Sequence, residues 1–197
     1  MLFQADGPIG RQVLRWYVAR TRAKAVQDHW DSLVAGPRLA ASAGAPLLVE
    51  FTDYECPFCR QQHAAFLAGF DDHDLGSIVV RHLPLPIHPR ADGAARSAVC
   101  AEAQGRFRAM HDRLFGTRAW MSDSNWIREA RAAGVPDLRA FSRCLRSETT
   151  VARIRSDVAL AETLRIRGTP AFVSRTTVFS GILDKATFLS LARPMLR

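Results

Sequence analysis

The chain has 197 residues, of which 48% are hydrophobic and 23% are charged, and its formal net charge is +8. These values are ordinary for a globular protein with one substantial domain, or one domain with an insertion. No stretch approaches the roughly 20 apolar residues that a membrane span needs. The 27 basic residues, all arginine except Lys24 and Lys185, are scattered without aromatic interleaving, which argues against nucleic-acid binding.

The cysteines and the amino terminus bear on cellular location. Cysteines occur at positions 56, 59, 100 and 144, and three pairings are possible. The close pair and the distant pair differ in kind, which favours one catalytic and one structural disulfide and hence an oxidising compartment. Met1 to Ala19 has acidic and basic residues and no apolar core, unlike a secretory signal. We expect a periplasmic or otherwise extracytoplasmic location, with a cytoplasmic one as the alternative.

The first predicted element is a helix from about Pro8 to Val34. Apolar residues spaced by three and four would share one face of it: Trp16, Ala19, Ala23, Val26, Trp30 and Leu33. Packing on the body of the domain is the simplest role; dimerisation or contact with a membrane surface are alternatives, since tryptophan and arginine together suit an interface. Gly36-Pro37 ends the helix. Residues 1–45 are thus predicted to be an N-terminal helical extension and linker.

A strand, a helix and a second strand are predicted next. Leu47 to Phe51 is apolar and reads as a buried strand, and a helix runs from Cys56 to about Phe70. The acidic stretch at residues 71–74 is either a metal-binding group or, more simply, a solvated turn. Ser77 to Leu85 reads as the second strand and ends in a proline-rich segment.

A long helical block, about residues 91–164, interrupts the strands. Within it, Ser122 or Ser124 is expected to cap one helix and Asp137 the next.

After the block, strands are predicted at residues 171–173 and 176–179, joined as a hairpin through Ser174-Arg175, and a terminal helix from Lys185 to Leu196. The order of elements predicts an α/β core with an all-helical insertion.

The sequence Cys56-Pro57-Phe58-Cys59 is the main candidate for chemistry. Proline suits the first turn of a helix, so Cys56 would lie at a helix N-terminus, where unpaired N–H groups and the dipole stabilise a thiolate. Cys59, one turn later, can close a disulfide. A strand before and a helix after the motif favour a redox site. The alternative is a zinc site with His63 as third ligand, for which no fourth ligand is evident.

Glu50 is the second candidate, because it lies in an apolar strand six residues before Cys56. If it points inward, burial raises its pKa toward neutrality. It could then exchange protons with Cys59 during thiol–disulfide exchange. Apolar residues alternate onto both faces of this strand, which favours a strand covered on both sides over one with Glu50 in solvent.

Together, the strand with Glu50, the CPFC motif, the helical insertion and the stretch Gly168-Thr169-Pro170-Ala171-Phe172 resemble the DsbA-like branch of the thioredoxin superfamily. The resemblance covers about residues 46–191. It implies an α/β thioredoxin-like fold with an all-helical insertion, here with an extra N-terminal helix. It also implies that Cys56 attacks substrate and Cys59 resolves, while a cis-proline loop at Thr169-Pro170 binds substrate main chain. Phe58 departs from the strongly oxidising members, which have a thiolate-stabilising histidine there.

The resemblance also implies that Cys100 and Cys144 form a second, non-catalytic disulfide; two buried free cysteines are the alternative. The predicted activity is thiol–disulfide exchange through a mixed disulfide at Cys56, with oxidation of substrate thiols preferred. Reduction or isomerisation of disulfides, and a non-catalytic binding module, are alternatives. The expected partners are thiol- or disulfide-containing proteins, with Phe58 contributing to their binding, and a redox partner that the sequence does not identify. We expect no cofactor, metal or nucleic acid.

Overall fold

The computed structural model describes residues 8–41 and 48–192, and a four-stranded sheet forms its centre. The strands are β1 (Leu48–Thr52), β2 (Ile78–His82), β3 (Ala171–Val173) and β4 (Val178–Ser180), in the order β2-β1-β3-β4. β1 pairs in parallel with β2 and antiparallel with β3, and β3 and β4 form an antiparallel hairpin. β1, which leads into the CPFC motif, is therefore a central strand.

The helices of the described chain follow the predicted order, with one short addition, α3, before β2. They are α1 (Pro8–Val34), α2 (Pro57–Gly69), α3 (Asp72–Gly76), α4 (Ala91–Glu102), α5 (Phe107–Gly116), α6 (Trp120–Asp123), α7 (Trp126–Ala132), α8 (Leu138–Leu145), α9 (Glu148–Thr163) and α10 (Lys185–Ala192). Helices α4 to α9 lie between β2 and β3 in the chain, so the α/β core with an all-helical insertion is confirmed. Leu47, the end of the predicted linker and the predicted helical residues 193–196 lie outside the described residues.

The sheet is buried on both faces, as expected from the alternation in β1. Val49 and Phe51 pack with Val79 of β2 against α1 and the end of α9. On the opposite face, Leu48 and Phe172 pack with α2 and with helices of the insertion. Every residue of β1 and β2 is buried. This environment excludes water from both sides of β1 and sets the energetics of any charged group on it.

α1 has the predicted bounds, but only its second half packs on the sheet. Val26, Trp30 and Leu33 are buried, whereas Trp16 is 59% exposed. A helix of 27 residues is about 40 Å long, while a five-residue strand spans about 17 Å. The first half of α1 thus carries exposed apolar side chains, and the alternatives of dimerisation and membrane-surface contact stay predictions for that half.

A buried ion pair fastens α1, β2 and α9 to one another. Arg81 of β2 donates through Nη1 to Asp157 of α9 at 2.8 Å, and its Nε donates to the carbonyl of Leu33 at 2.9 Å. The second oxygen of Asp157 accepts from the N–H of His82 at 3.0 Å. Because both charged side chains are almost fully buried, each depends on the other for compensation.

Two predicted helix starts can be compared with the structure. Asp137 caps α8 as predicted, accepting from the N–H of Ala140 at 2.8 Å. The prediction of Ser122 or Ser124 as the cap of the preceding helix is wrong: Asn125 caps α7. Ser124 has a φ of 51°, the left-handed conformation that ends α6, so its side chain cannot cap the next helix.

The acidic stretch at residues 71–74 is the start of α3. Asp71 accepts from the N–H of Asp74, and the Asp74 carboxylate accepts from the N–H of Asp71, which is a capping box. Asp74 also forms an ion pair with Lys185 of α10. The carboxylates of Asp71 and Asp74 thus have partners within the protein.

Across the described ranges, no helix is long and apolar enough to cross a bilayer.

Candidate active site

Cys56 lies at the N-terminus of α2, where the sequence pattern predicts it. It is the N-cap residue, Pro57 is the first helical residue, and the N–H of Arg60 donates to the Cys56 carbonyl at 3.1 Å. The Cys56 N–H donates to the carbonyl of Asp53 at 3.2 Å, which closes the turn after β1. Cys59 is one helical turn later, and both cysteines are buried and unbonded. The strand, the turn and the helix therefore hold the two thiols side by side.

The two thiols have opposite acidities. The hydrogen bond from Cys59 is the largest cause that lowers the pKa of Cys56 to about 5, against burial, with help from Thr169 and the main-chain N–H groups of α2. Burial, followed by the hydrogen bond to Cys56 and the charge of Glu50, raises the pKa of Cys59. At neutral pH Cys56 is a thiolate and Cys59 a thiol that donates to it. This asymmetry gives Cys56, rather than Cys59, the acidity that a nucleophilic cysteine requires.

The Gly168–Pro170 loop faces the cysteines. The Thr169–Pro170 peptide bond is cis, and the Thr169 carbonyl lies 3.4 Å from the Cys56 sulfur. The Gly181 N–H donates to the Pro170 carbonyl at 3.0 Å, which ties the loop to the end of β4. Phe58 is 60% exposed, so a large apolar ring projects from the motif next to the reactive sulfur.

Glu50 lies inside the protein behind the cysteines. It pairs in register with Val80 of β2 and Phe172 of β3, both of which pack on the face of the sheet that carries Cys59. Burial raises the pKa of Glu50 to about 8, and its Oε2 has no hydrogen-bond partner within the described chain. A carboxyl that is mostly protonated at neutral pH and partly unsatisfied can give or accept a proton.

A cluster of histidine and aromatic side chains packs behind α2. The sequence did not predict that these side chains would be in contact. The Tyr54 hydroxyl lies 3.1 Å from Nδ1 of His111, and the His63 ring stacks on Phe115 at 5.1 Å. Burial lowers the pKa of both His63 and His111. The spacing of Phe107, His111 and Phe115 on one helix face was a visible signal, but its partner Tyr54 was not.

The zinc alternative is not favoured by this geometry. Nε2 of His63 lies 3.5 Å from the Asp112 carboxylate, which occupies the nitrogen that a zinc ligand would use. Across residues 8–41 and 48–192, the ligand atoms that gather within 4.8 Å of one another belong to Asp71, His73 and Asp74, not to the two cysteines and His63. Those acidic groups form the helix cap described above.

Cys100 and Cys144 are joined by a disulfide that lies within the insertion. It links α4 to α8 with a Cα–Cα distance of 5.7 Å. Cys100 is fully buried, and the Thr150 hydroxyl at the start of α9 lies 3.3 Å from the Cys144 sulfur. The disulfide therefore joins two helices of the insertion, with the start of α9 beside it, and is separate from the CPFC motif.

Comparison with known families assigns most of the chain to one family. A family model described as thioredoxin matches residues 37–191. The chain belongs to the thioredoxin family. Its fold, with α4 to α9 between β2 and β3, is shared with solved DsbA-like proteins.

Two solved structures illustrate the likeness. A thioredoxin-like oxidoreductase from Silicibacter pomeroyi is 28% identical, with a TM-score of 0.72 over 84% of this chain and 96% of that one. The thiol-disulfide exchange protein alpha-DsbA2 from Wolbachia pipientis is 17% identical, with a TM-score of 0.75 over 90% of this chain and 97% of that one. At this identity the second comparison shows the fold alone.

The curated relatives are longer proteins. The Na(+)/H(+) antiporter NhaA 3 of Salinispora tropica is 36% identical over 147 residues, which is 74% of this chain and 21% of the antiporter. The chain thus spans about a fifth of the length of that relative.

Proposed function

We propose that this protein oxidises pairs of thiols in other proteins by exchanging its Cys56–Cys59 disulfide with them. The observation that carries the proposal is the opposite acidity of Cys56 and Cys59 at the N-terminus of α2, opposite the Thr169–Pro170 loop. A stable thiolate favours the reduced form of the motif, and a motif that prefers to be reduced is an oxidant for its substrates.

The reaction proceeds in two exchange steps. A substrate thiolate attacks the Cys56 sulfur of the disulfide; the Cys56–Cys59 bond breaks, and Cys59 leaves as a thiolate that takes up a proton. A second substrate thiolate then attacks the substrate sulfur of the mixed disulfide, and Cys56 leaves as a thiolate. Two electrons pass from the substrate dithiol to the motif, and the substrate gains one disulfide. A redox partner must remove these electrons before the next cycle.

Glu50 is the proposed proton donor for the first step. Cys59 is the poorer leaving group because its pKa is raised, so protonation assists its departure. Glu50, with a pKa of about 8, is mostly protonated at neutral pH and lies on the Cys59 face of the sheet. It can take the proton back when Cys59 attacks in the reverse direction.

Substrate is proposed to bind across the Thr169–Pro170 loop. A main chain that approaches Cys56 passes the Thr169 carbonyl, which accepts hydrogen bonds, and the exposed Phe58 ring supplies an apolar contact. The substrates are proteins with reduced or exposed cysteines. An extracytoplasmic location is part of the proposal, supported by the Cys100–Cys144 bond, because such bonds persist in oxidising compartments.

The alternatives use the same fold in other ways. A reductase or isomerase would employ the same two cysteines in the opposite direction or on scrambled disulfides. A non-catalytic binding module would use the loop groove without exchange. We do not propose antiport activity for this chain, because the match covers only about a fifth of the Na(+)/H(+) antiporter NhaA 3.

The decisive experiment compares oxidation and isomerisation by wild-type protein and by Cys56→Ser. Reduced, unfolded ribonuclease is offered to the oxidised protein, and scrambled ribonuclease to the reduced protein, and recovery of ribonuclease activity is followed. We expect recovery from the reduced substrate only, its loss in Cys56→Ser, and a trapped mixed disulfide in Cys59→Ser. Recovery mainly from scrambled substrate would favour isomerisation, and activity retained in Cys56→Ser would overturn the exchange mechanism.

A further inference from the structure

His88 lies outside the CPFC motif but is bonded to the turn that precedes it. Its Nδ1 lies 2.7 Å from Oδ2 of Asp53, whose side chain is fully buried. Asp53 is three residues before Cys56, and its carbonyl accepts the Cys56 N–H. One residue therefore holds both the imidazole and the main chain of the reactive cysteine.

Asp53 is itself rigidly placed, so the imidazole has a defined position. Its Oδ1 accepts from the Glu55 N–H at 2.8 Å, and its Oδ2 accepts from the Leu85 N–H at 2.8 Å. The Arg90 N–H donates to the Glu55 carboxylate at 2.7 Å. These bonds clamp the proline-rich segment 84–90 onto the turn between β1 and α2.

We propose that His88, held by Asp53, is a positioning residue whose positive charge stabilises the Cys56 thiolate. The inference rests on the proposed function. His88, which lies outside the motif, would supply the positive charge that the motif lacks because it has phenylalanine at position 58. An aromatic hydrocarbon ring cannot donate a hydrogen bond or carry charge, so any cation that assists Cys56 must come from elsewhere in the fold.

The electrostatics agree with the geometry. Burial opposes a charge on His88, but the hydrogen bond and charge of Asp53, followed by the charges of Cys56 and Glu55, outweigh it and raise the pKa of His88. The atoms in direct hydrogen-bonding contact with the Cys56 sulfur belong to Cys59, Thr169 and the α2 main chain. His88 thus acts on the thiolate through space and in addition to these contacts.

The other charged groups around His88 do not replace it. The segment 84–89 and α9 enclose a groove of about 420 Å³ that His88 lines, and its charged lining residues are Asp92, Arg155 and Glu162. Two of these three are acidic, as are Asp53 and Glu55. His88 is hydrogen-bonded to the turn carrying Cys56 through its imidazole ring, whereas the cationic residue Arg90 is bonded to Glu55 of this turn through its main-chain N–H.

The test measures the pKa of Cys56 in His88 variants and the pKa of His88 in a Cys56 variant. The thiolate absorbance and the rate of alkylation of Cys56 are followed against pH in wild-type, His88→Gln and His88→Lys proteins, with His73→Gln, an exposed histidine on α3, as the control. We expect His88→Gln to lower the alkylation rate roughly three- to tenfold on the acidic limb of the profile, which corresponds to a rise of about half to one pKa unit in Cys56. Lysine restores the charge and should keep the Cys56 pKa low, and His73→Gln should match wild type.

The reciprocal measurement follows the His88 ring by NMR in wild-type and Cys56→Ser proteins. Because coupling between two sites is mutual, the His88 pKa should fall by the same amount that the Cys56 pKa rises in His88→Gln. This arm does not depend on whether His88→Gln folds. An equal Cys56 pKa in wild type and His88→Gln, or an unchanged His88 pKa in Cys56→Ser, would overturn the inference while leaving the proposed function intact. A wild-type Cys56 pKa near 8.5 would instead overturn the proposed function, and the inference with it.

Discussion

The Cys56 sulfur and the carbonyl oxygen of Thr169 lie 3.4 Å apart although 113 residues separate them in the chain. The contact joins the two ends of the thioredoxin core, one before and one after the helical insertion. It makes the Gly168–Pro170 loop a direct neighbour of the Cys56 sulfur. Under the proposed function, a polypeptide bound at Cys56 lies beside Thr169 and Pro170.

Glu50→Gln is expected to slow the step in which Cys59 leaves or attacks. Glutamine keeps the size of the side chain but cannot transfer a proton. Stopped-flow measurement of substrate exchange should show a loss of roughly a hundredfold, the lower end of general acid–base effects. Alkylation of Cys56 should change little. An exchange rate equal to that of wild type would show that Glu50 has no part in proton transfer.

Glu50 also predicts how stability depends on pH. Its pKa is 4.5 when unperturbed and about 8 in the folded protein, so between these values the folded state binds more protons than the unfolded state. Stability contributed at this site is thus lost as the pH rises from about 4.5 to 8, to a limit of roughly 3–5 kcal/mol. Glu50→Gln should flatten this slope in urea unfolding, and Glu162→Gln, on the exposed part of α9, should not.

Removal of the Cys100–Cys144 disulfide is expected to destabilise the protein without changing its chemistry. The bond closes a loop of 44 residues, for which the chain-entropy model gives roughly 3–4 kcal/mol. Cys100→Ala/Cys144→Ala should lower the free energy of urea unfolding by that amount, while the Cys56 pKa stays low. A matched Cys56→Ser/Cys59→Ser protein should retain the stability that the bond provides. Equal stability of the two variants would contradict this prediction.

Asp157→Asn should be among the most destabilising single changes in the buried interface between α9 and the sheet. It leaves the buried Arg81 charge without compensation, for which breaking a buried pair typically costs about 3–5 kcal/mol. Asp28→Asn removes the partner of Lys24 in an exposed pair and should cost under about 0.5 kcal/mol. Thermal and urea unfolding of the two variants give the comparison. Similar losses in both would contradict the assigned role of Arg81.

Gly93→Ala tests close packing between α4 and α7. A Cβ atom at this position would lie 2.6 Å from the Trp126 ring, so the ring must move, at a cost of roughly 1–3 kcal/mol. Gly69→Ala, at the end of α2, meets no atom within 4 Å and should be neutral or stabilising by up to about 1 kcal/mol. Calorimetry on both proteins distinguishes crowding from helix propensity. A stabilised Gly93→Ala protein would show that the two helices are not in contact as described.

Local features were predictable because neighbouring residues determine them. The bounds of α1, the position of Cys56 before Pro57, and the cap at Asp137 follow from residues a few positions apart. The cap of α7 was mispredicted because several candidate residues stand side by side. Only the backbone conformation of Ser124 selects Asn125 among them.

The CPFC motif, with its strand and helix, was determined by the sequence alone, since helix capping and the alternation of a buried strand act over a few residues. Tertiary structure alone decided what surrounds the motif. Asp53 and His88 are 35 residues apart, and Arg81 and Asp157 are 76 apart. No local pattern encodes such contacts, because they arise when the sheet brings distant segments together and burial makes each polar group seek a partner. The motif thus predicts thiol chemistry and supplies the hydrogen bond that most lowers the Cys56 pKa, whereas burial by the rest of the fold is the main cause that raises the Cys59 pKa.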